Sequence, residues 1–125
     1  MEIKAQLNHL RISPRKVRLA ARLIKGMEAR RADLELRRLL KRSAEPLRKL
    51  LNSALANARH NFQIKDESAL YVKRVKVDEG PVLKRLRPRA FGRGATIRRR
   101  SSHIALILDT GKTPVAARPS RRGEA

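Results

Sequence analysis

The sequence predicts an α+β fold, in which three helices pack on a small three-stranded antiparallel sheet that carries a long extended β-hairpin arm. Three observations predict this fold. Apolar residues recur at helical spacing in three segments of the first half of the chain. Three other segments have the alternation, or the short apolar run, that is typical of strands. A long basic stretch, residues 78–103, separates the last two strands.

The first two elements are a strand and a helix. Residues 3–12 alternate imperfectly between apolar and polar side chains, which predicts a strand. Ser13 followed by Pro14 predicts a helix start, because serine is a good N-cap and proline fits the first turn. Gly26 is placed to end this helix. Four apolar residues would face the core: Val17, Ala20, Ala21 and Ile24.

Two more helices are predicted downstream. The second covers residues 29–41, where Leu36, Leu39 and Leu40 have helical spacing. Ser43 can cap the third helix, with Pro46 in its first turn. The third helix should end near residues 59–61. Its apolar face is the clearest in the chain: Leu47, Leu50, Leu51, Ala54, Leu55 and Ala58.

The remaining elements are two strands and a tail. Residues 70–77 alternate and predict a strand with a bulge near Arg74, and the apolar run 104–108 predicts a buried strand. Residues 1–109, including the arm at about 78–103, would therefore form a single domain. Residues 110–125 mix proline, glycine and arginine without periodicity, which predicts a disordered basic tail.

The net charge points to a polyanionic partner. The chain has 32 Lys and Arg against 11 Asp and Glu, a formal charge of +21. Such an excess destabilises a compact state unless a polyanion neutralises it, so nucleic acid is the first partner to consider and an anionic membrane the second.

The longest apolar run, residues 104–108, is far shorter than the roughly 20 residues of a spanning helix. No apolar segment follows Met1, so no signal peptide is expected, and the absence of cysteine is compatible with a reducing cytoplasm.

The few aromatic residues indicate which nucleic acid would bind. Phe62, Tyr71 and Phe91 are the only ones. Proteins that bind single strands by stacking need an aromatic platform, which three scattered rings do not supply. Contacts should therefore go to phosphate, sugar and shape, which favours structured RNA or duplex.

The basic stretch predicts an RNA-binding arm. Residues 80–108 contain no acidic residue, and turn-forming residues cluster near 88–94. Two extended strands of roughly 10 residues each would reach roughly 30 Å from the body. A thin hairpin cannot bury its own apolar surface, so we expect an arm that is mobile when free and ordered by its partner. The alternative is a basic loop without a specific role. The candidate phosphate contacts are Lys84, Arg85, Arg87, Arg89, Arg93, Arg98, Arg99 and Arg100.

The first helix predicts a second basic surface. At 100° per residue, one face carries Arg15, Arg18, Arg22 and Lys25, opposite the apolar face. The alternative is a solvated face. Because residues 3–27 contain no acid to form i,i+4 pairs, we favour contact with phosphate.

No catalytic or metal-binding pattern is present in the sequence. The three histidines lack H-x-x-x-H spacing, and without cysteine a structural zinc site is not expected. Ser101, Ser102 and His103 are adjacent and not arranged as a triad, so each is interpreted as a surface or RNA contact. The sequence therefore predicts a non-enzymatic protein without cofactor, metal or small-molecule substrate.

Three stretches form motifs that are weak alone and specific in this order and spacing. They are Arg11-Ile-Ser-Pro-Arg-Lys-Val-Arg18; Asn52-Ser-Ala-Leu-Ala-Asn-Ala58 with His60-Asn61; and the arm pieces Asp78-Glu-Gly-Pro81, Leu83-Lys-Arg85, Pro88-Arg-Ala90, Gly92-Arg93 and Arg98 through Ile104. Together they resemble the universal large-subunit ribosomal protein family numbered twenty-two, of the bacterial type. The resemblance runs from about residue 3 to residue 109.

The resemblance implies a structural constituent of the large ribosomal subunit that aids its assembly. The body would sit near the exit of the nascent-peptide tunnel, and the arm would pass through ribosomal RNA to line the tunnel and influence macrolide sensitivity. Partners would be ribosomal RNA, neighbouring ribosomal proteins and the nascent peptide, in a cytoplasmic or, alternatively, an organellar ribosome. Implied RNA contacts include Arg11, Ser13, Arg15, Lys16 and Arg18. The implied tip is Pro88, Arg89, Ala90, Phe91, Gly92 and Arg93, where Phe91 departs from the basic or polar residue expected.

Other classes of protein remain open at this point. A general DNA- or RNA-compacting protein would share the charge but should show a dimer-forming surface and an arm suited to the minor groove. An RNA-modifying enzyme would need an acid–base pair or cofactor loop, which the sequence lacks. A membrane-active basic protein would bind vesicles.

Overall fold

The computed structural model describes residues 2–111, which form three helices, five strands and two short 3₁₀ turns. The helices are α1 (Pro14–Ile24), α2 (Ala29–Arg38) and α3 (Ala44–Asn61). The strands are β1 (Glu2–Leu10), β2 (Leu70–Glu79), β3 (Leu83–Pro88), β4 (Gly94–Arg99) and β5 (Ser102–Thr110). The 3₁₀ turns are Glu67–Ala69 and Ala90–Gly92. The predicted tail lies outside the described residues, except that Thr110 belongs to β5.

The strands form one three-stranded sheet and one separate hairpin. The sheet order is β1-β5-β2 and both pairings are antiparallel, so the last strand in sequence is the central one. Strands β3 and β4 pair only with each other. The predicted α+β fold is confirmed, and so is the bulge, because the register of β2 against β5 shifts between Val72 and Arg74.

One face of the sheet is covered by the helices. On the central strand, Ile104, Leu106 and Leu108 are buried on that face, and Leu106 lies opposite Ala5 of β1 and Val75 of β2. The six residues predicted for the apolar face of α3 are all buried, as are the four predicted for α1. The helical repeat of about 3.6 residues in the apolar positions therefore identified the buried faces of α1 and α3 correctly.

The starts of α1 and α3 lie where the serines predicted them. Neither Ser13 nor Ser43 makes a side-chain capping bond. Instead the Ser13 carbonyl accepts bonds from the N–H groups of Lys16 and Val17, at 3.1 and 3.2 Å. At the other end of α1, Gly26 has a φ of 80°, as its predicted role in ending the helix requires. Its N–H donates to the Val72 carbonyl at 2.8 Å, which fixes the helix end to the sheet.

Two elements end earlier than predicted, whereas β2 and β5 extend beyond their predicted ranges of 70–77 and 104–108. Helix α2 ends at Arg38 and not at residue 41, because Leu39 has extended backbone angles that redirect the chain towards α3. Leu40 is consequently fully exposed, although its spacing suggested a helical position. Strand β1 ends at Leu10 and not at residue 12, after an irregularity at His9, which has a φ of 58°. Among residues 2–111, no helix is long and apolar enough to cross a membrane.

Lys73 connects all three strands of the sheet. Its Nζ lies 2.5 Å from Oε1 of Glu2 and 3.2 Å from Oδ2 of Asp109. The hydrogen bond from Lys73 lowers the pKa of each carboxyl, and the bonds to these carboxylates raise the pKa of Lys73. Because these carboxyls have a lower pKa in the folded protein, their ionisation stabilises the fold at pH values above the ordinary pKa, 4.5 for Glu2 and 3.8 for Asp109. This stabilisation is lost as pH falls through the lower pKa of each group in the folded protein.

We therefore expect Lys73→Met to lower the thermal unfolding temperature at pH 7, and we expect this difference to shrink as pH falls below the ordinary carboxyl pKa values of 4.5 and 3.8. At neutral pH the variant loses both ion pairs. As pH falls through the lowered pKa values of the folded protein, the carboxyls of the parent protein become protonated and its advantage disappears. Circular dichroism melts of both proteins at several pH values measure the difference. A gap in melting temperature that does not narrow as pH falls would contradict this account.

Candidate nucleic-acid interface

Acidic and basic side chains are segregated on the described surface. Asp33 pairs with Arg37 and Arg48, each at 3.1 Å, and Glu67 pairs with two further arginines on the same side of the body. Within residues 2–111, by contrast, no ion pair involves a cation of α1, β3 or β4. The cations of the first helix and of the hairpin are therefore not paired with any carboxylate of residues 2–111.

Helix α1 presents the basic face that its sequence predicted. Arg15, Arg18, Arg22 and Lys25 are exposed, opposite the buried face of the helix. The guanidinium of Arg18 also donates to the Val77 carbonyl at 3.2 Å, which joins the helix to β2. Arg18 thus has a structural contact in addition to its exposed surface.

The arm, defined here as β3, β4 and their connection, is basic on both of its faces. In the antiparallel register, Lys84 lies opposite Arg98, and these two side chains share one face. Leu83 lies opposite Arg99 on the other face, which also carries Arg85 and Arg87. All the residues of β3 are exposed. An arm with cations on both faces can contact polyanion on two sides at once.

The six predicted tip residues lie together at the outer turn of the arm. The Arg89 N–H donates to the Arg93 carbonyl at 2.7 Å and closes the turn. Phe91 and Gly92 both have left-handed backbone angles, with φ of 63° and 67°. The Phe91 side chain is 99% exposed, the largest such exposure for an aromatic residue that the structure describes. The tip therefore offers one uncovered aromatic ring between arginines.

A groove of about 1070 Å³ lies between the base of the arm and the start of α1. In the described part of the chain, no carboxylate lines it, whereas eight cationic side chains do: Arg11, Lys16, Lys41, Arg42, Arg85, Arg98, Arg99 and Arg100. The structure thus brings together residues of α1 and of the arm that sequence patterns treated as two separate surfaces. Arg15, Arg22, Lys25, Arg87, Arg89 and Arg93 do not line this groove.

Lys41 and Arg42 were missed by the sequence analysis. They lie in the α2–α3 connection, which turns towards the groove, whereas the pattern assigned residue 41 to a helix. A basic pair directly before the capping Ser43 was the available signal, but nothing local shows which surface it would face.

Three of the predicted contacts are less exposed than the sequence suggested. Ser102 has no exposed surface, and its hydroxyl donates to the Ile12 carbonyl at 2.6 Å. This hydroxyl therefore has its partner inside the protein, and the RNA contact of Ser102 stays a prediction. His103 is half-buried, and its Nδ1 accepts a bond from the His9 backbone N–H at 3.1 Å. Ser13 is half-buried at the start of α1.

The chemistry of the groove is that of anion binding. Guanidinium and ammonium groups supply donors, and arginine can bind a phosphate with two parallel bonds. Among the residues that the structure describes, the groove has no carboxylate that could act as a general base. Among residues 2–111, no group of three or more His, Asp or Glu side chains could hold a metal ion.

Comparison with known proteins gives one consistent family. Residues 5–109 match the family model described as "Ribosomal protein L22p/L17e". The chain is 54% identical over 108 residues to "Large ribosomal subunit protein uL22" of Mesoplasma florum, covering 86% of this chain and 96% of that protein. The protein of the same name from Mycoplasma capricolum is 48% identical over 112 residues, covering 90% and 100%. That from Syntrophomonas wolfei is 46% identical over 108 residues, covering 86% and 95%.

Proposed function

The chain belongs to the ribosomal protein L22p/L17e family, and on this premise we propose that its arm and first helix bind large-subunit ribosomal RNA. Its role in the large ribosomal subunit is structural and not enzymatic. Because its relatives are bacterial, its place is the cytoplasmic ribosome, with ribosomal RNA and ribosomal proteins as partners. We propose that residues 1–109 act as a single RNA-binding domain.

The observation that carries the RNA proposal is the groove. Eight cations converge on one groove, and no carboxylate of residues 2–111 lines it. A sugar-phosphate backbone can lie along such a surface, with arginines on both walls bonded to successive phosphates. The scarcity of aromatic side chains supports contact with the backbone over stacking on splayed bases.

The two basic faces of the arm support its insertion between RNA segments. A hairpin that lay on an RNA surface would need cations on one face only. Here Lys84 and Arg98 occupy one face, and Arg85 and Arg99 the other, so both faces suit phosphate contact. The exposure of β3 is consistent with an element whose packing partner is another molecule.

We propose that the tip, residues 88–93, lines the nascent-peptide tunnel and can contact the nascent peptide. This part of the proposal rests on the family resemblance. The tip's position at the far end of the arm and the uncovered Phe91 ring support it. The proposal extends to a role of the body in early assembly of the large subunit and of the tip in macrolide response.

Sedimentation of the tagged protein from cells in sucrose gradients tests the proposal. We expect the protein to stay with the large subunit even after washing at high salt, because an arm threaded through RNA cannot dissociate by ion exchange alone. A simple binder with about 6–10 phosphate contacts would lose roughly 10³–10⁵ in affinity between 50 and 200 mM salt. Release at moderate salt, or sedimentation with the nucleoid, would favour a general nucleic-acid-compacting protein instead.

A further inference from the structure

Three consecutive residues, Ser101 to His103, form side-chain hydrogen bonds where the arm leaves the body, through a neck defined as residues 80–82 and 100–101. Ser101 Oγ donates to the Pro81 carbonyl at 2.6 Å, and Ser102 Oγ donates to the Ile12 carbonyl at 2.6 Å. His103 Nδ1 accepts from the His9 backbone N–H at 3.1 Å. Each of the three residues therefore bonds to a different segment of the chain.

The three bonded segments surround the RNA groove. Pro81 and Ser101 are themselves groove-lining residues, on the entering and returning sides of the arm. Ile12 immediately precedes the start of α1, which forms the opposite wall. The Ser102 bond thus joins the start of β5, into which the returning side of the arm leads, to the segment that carries the other wall. The bond of His103 adds a second connection, to the end of β1.

The neck is also tightly packed around Gly80. The N–H of this glycine donates to the Ser101 carbonyl at 2.9 Å. A Cβ at position 80 would lie 2.5 Å from Ser101 Oγ and 3.3 Å from the His103 ring. The side chains of Ser101 and His103 therefore occupy the space that any other residue would need. This is a steric requirement and not one of backbone conformation.

We infer that Ser101, Ser102 and His103 form a latch that sets the angle between the arm and α1, and thereby the width of the RNA groove. The inference rests on the proposed function for the identity of the ligand. The latch residues are positioning residues, since they act through Arg98, Arg99 and Arg100, which directly precede them in the chain and line the groove. At the neck, the Gly80–Ser101 backbone bond continues the β2–β5 pairing. Beyond the neck, β3 and β4 pair only with each other, and β3 is exposed throughout.

The latch modifies the expectation that the whole arm is mobile in the free protein. It holds the base of the arm in place before RNA binds, so that the paired strands β3 and β4 keep one orientation relative to the body. Preorganised groups bind more tightly because less ordering accompanies association. With the latch released, the cations of residues 98–100 would sample many distances from Arg11 and Lys16 across the groove.

The test measures the arm angle directly by electron paramagnetic resonance. The chain has no cysteine, so Thr96→Cys on β4 and Ser53→Cys on α3 give two unique spin-label sites, both exposed and neither in the groove. In this labelled protein without RNA, we expect a single narrow distance distribution. Gly80→Ala should at least double its width, because the new methyl group displaces Ser101 and presses on His103.

Gly94→Ala is the matched control. It makes the same change within the same arm, but its Cβ would meet only the exposed, flexible side chain of Leu86. We expect the distance distribution to stay narrow. If the distance distribution of Gly80→Ala is no wider than that of the parent protein, the latch does not exist.

A second pair of variants links the latch to binding. Ser101→Ala should weaken binding to deproteinised large-subunit ribosomal RNA by roughly fivefold, the value for one ordinary hydrogen bond, and broaden the distance distribution. Ser101→Thr keeps the hydroxyl and should restore both. Broadening without weaker binding would refute the positioning role. If the parent protein does not bind the RNA at all, the proposed function fails, while the distance measurements still decide whether the latch exists.

Discussion

Replacing Arg98, Arg99 and Arg100 together with glutamate is expected to weaken binding to large-subunit ribosomal RNA by about 10³-fold or more near 0.1 M salt. All three arginines line the groove, and none has a carboxylate partner among residues 2–111. Loss of a hydrogen bond to a charged group costs roughly tenfold in affinity, so three losses multiply to about 10³. The introduced carboxylates add repulsion from the phosphates.

The salt dependence of binding identifies the kind of contact that is lost. Each phosphate contact contributes about 0.7–0.9 to the slope of log affinity against log salt concentration. The triple variant should therefore have a slope shallower by roughly 2–3 than the parent protein. Filter binding or fluorescence anisotropy at several salt concentrations supplies both numbers. Unchanged affinity with an unchanged slope would show that these arginines do not bind phosphate.

A variant with the same change in net charge separates local contact from general attraction. Lys49, Lys65 and Lys76 are exposed and do not line the groove. Their joint replacement by glutamate also lowers the charge by six, yet we expect only a several-fold loss of affinity. If both triple variants bind equally weakly, long-range attraction to a highly charged protein accounts for binding, and the groove has no special role.

The elements of the fold could be predicted because their signals are local. The apolar period of α3, the alternation in β2 with its bulge near Arg74, and the left-handed Gly26 each depend on neighbours within a few residues. The helix and strand types followed correctly from those periods. The ends of α2 and β1 did not, because a chain leaves a helix or strand where tertiary packing redirects it, as at Leu39 and His9.

The groove could not be predicted in the same way, because distant segments build it. Arg11 and Arg99 belong to surfaces that only the central position of β5 brings together. The Ser102 hydroxyl has a partner 90 residues away in the sequence, and the partner of His103 is 94 residues away. Ser102 lies close to three arginines in the sequence, which suggested an RNA contact. Its hydroxyl instead bonds to a distant backbone carbonyl within the protein.

The central strand that organises the groove also carries the core, so Leu106→Ala is expected to destabilise the body by about 2–5 kcal/mol. Leu106 is almost fully buried between the helices and the two flanking strands. Removal of its side chain leaves a cavity that a packed core fills only in part. Since small domains have about 5–15 kcal/mol in total, the variant should unfold at much lower urea concentration. Leu40→Ala, at a fully exposed position, should change stability by less than about 0.5 kcal/mol.

RNA should restore much of the stability that Leu106→Ala loses, because the substitution and RNA binding both act on the equilibrium between the folded and the unfolded protein. The charge of +21 makes the free body repel itself, and bound phosphate removes that repulsion while it favours the folded state. A ligand at 100 times its dissociation constant adds about 2.7 kcal/mol to the stability of the state that binds it. Urea unfolding of the variant with and without saturating ribosomal RNA measures the gain. If the folded groove binds RNA specifically, a charged polymer without a defined structure, such as heparin, should increase the free energy of unfolding by less than RNA does. An equal increase would mean that charge neutralisation alone stabilises the body.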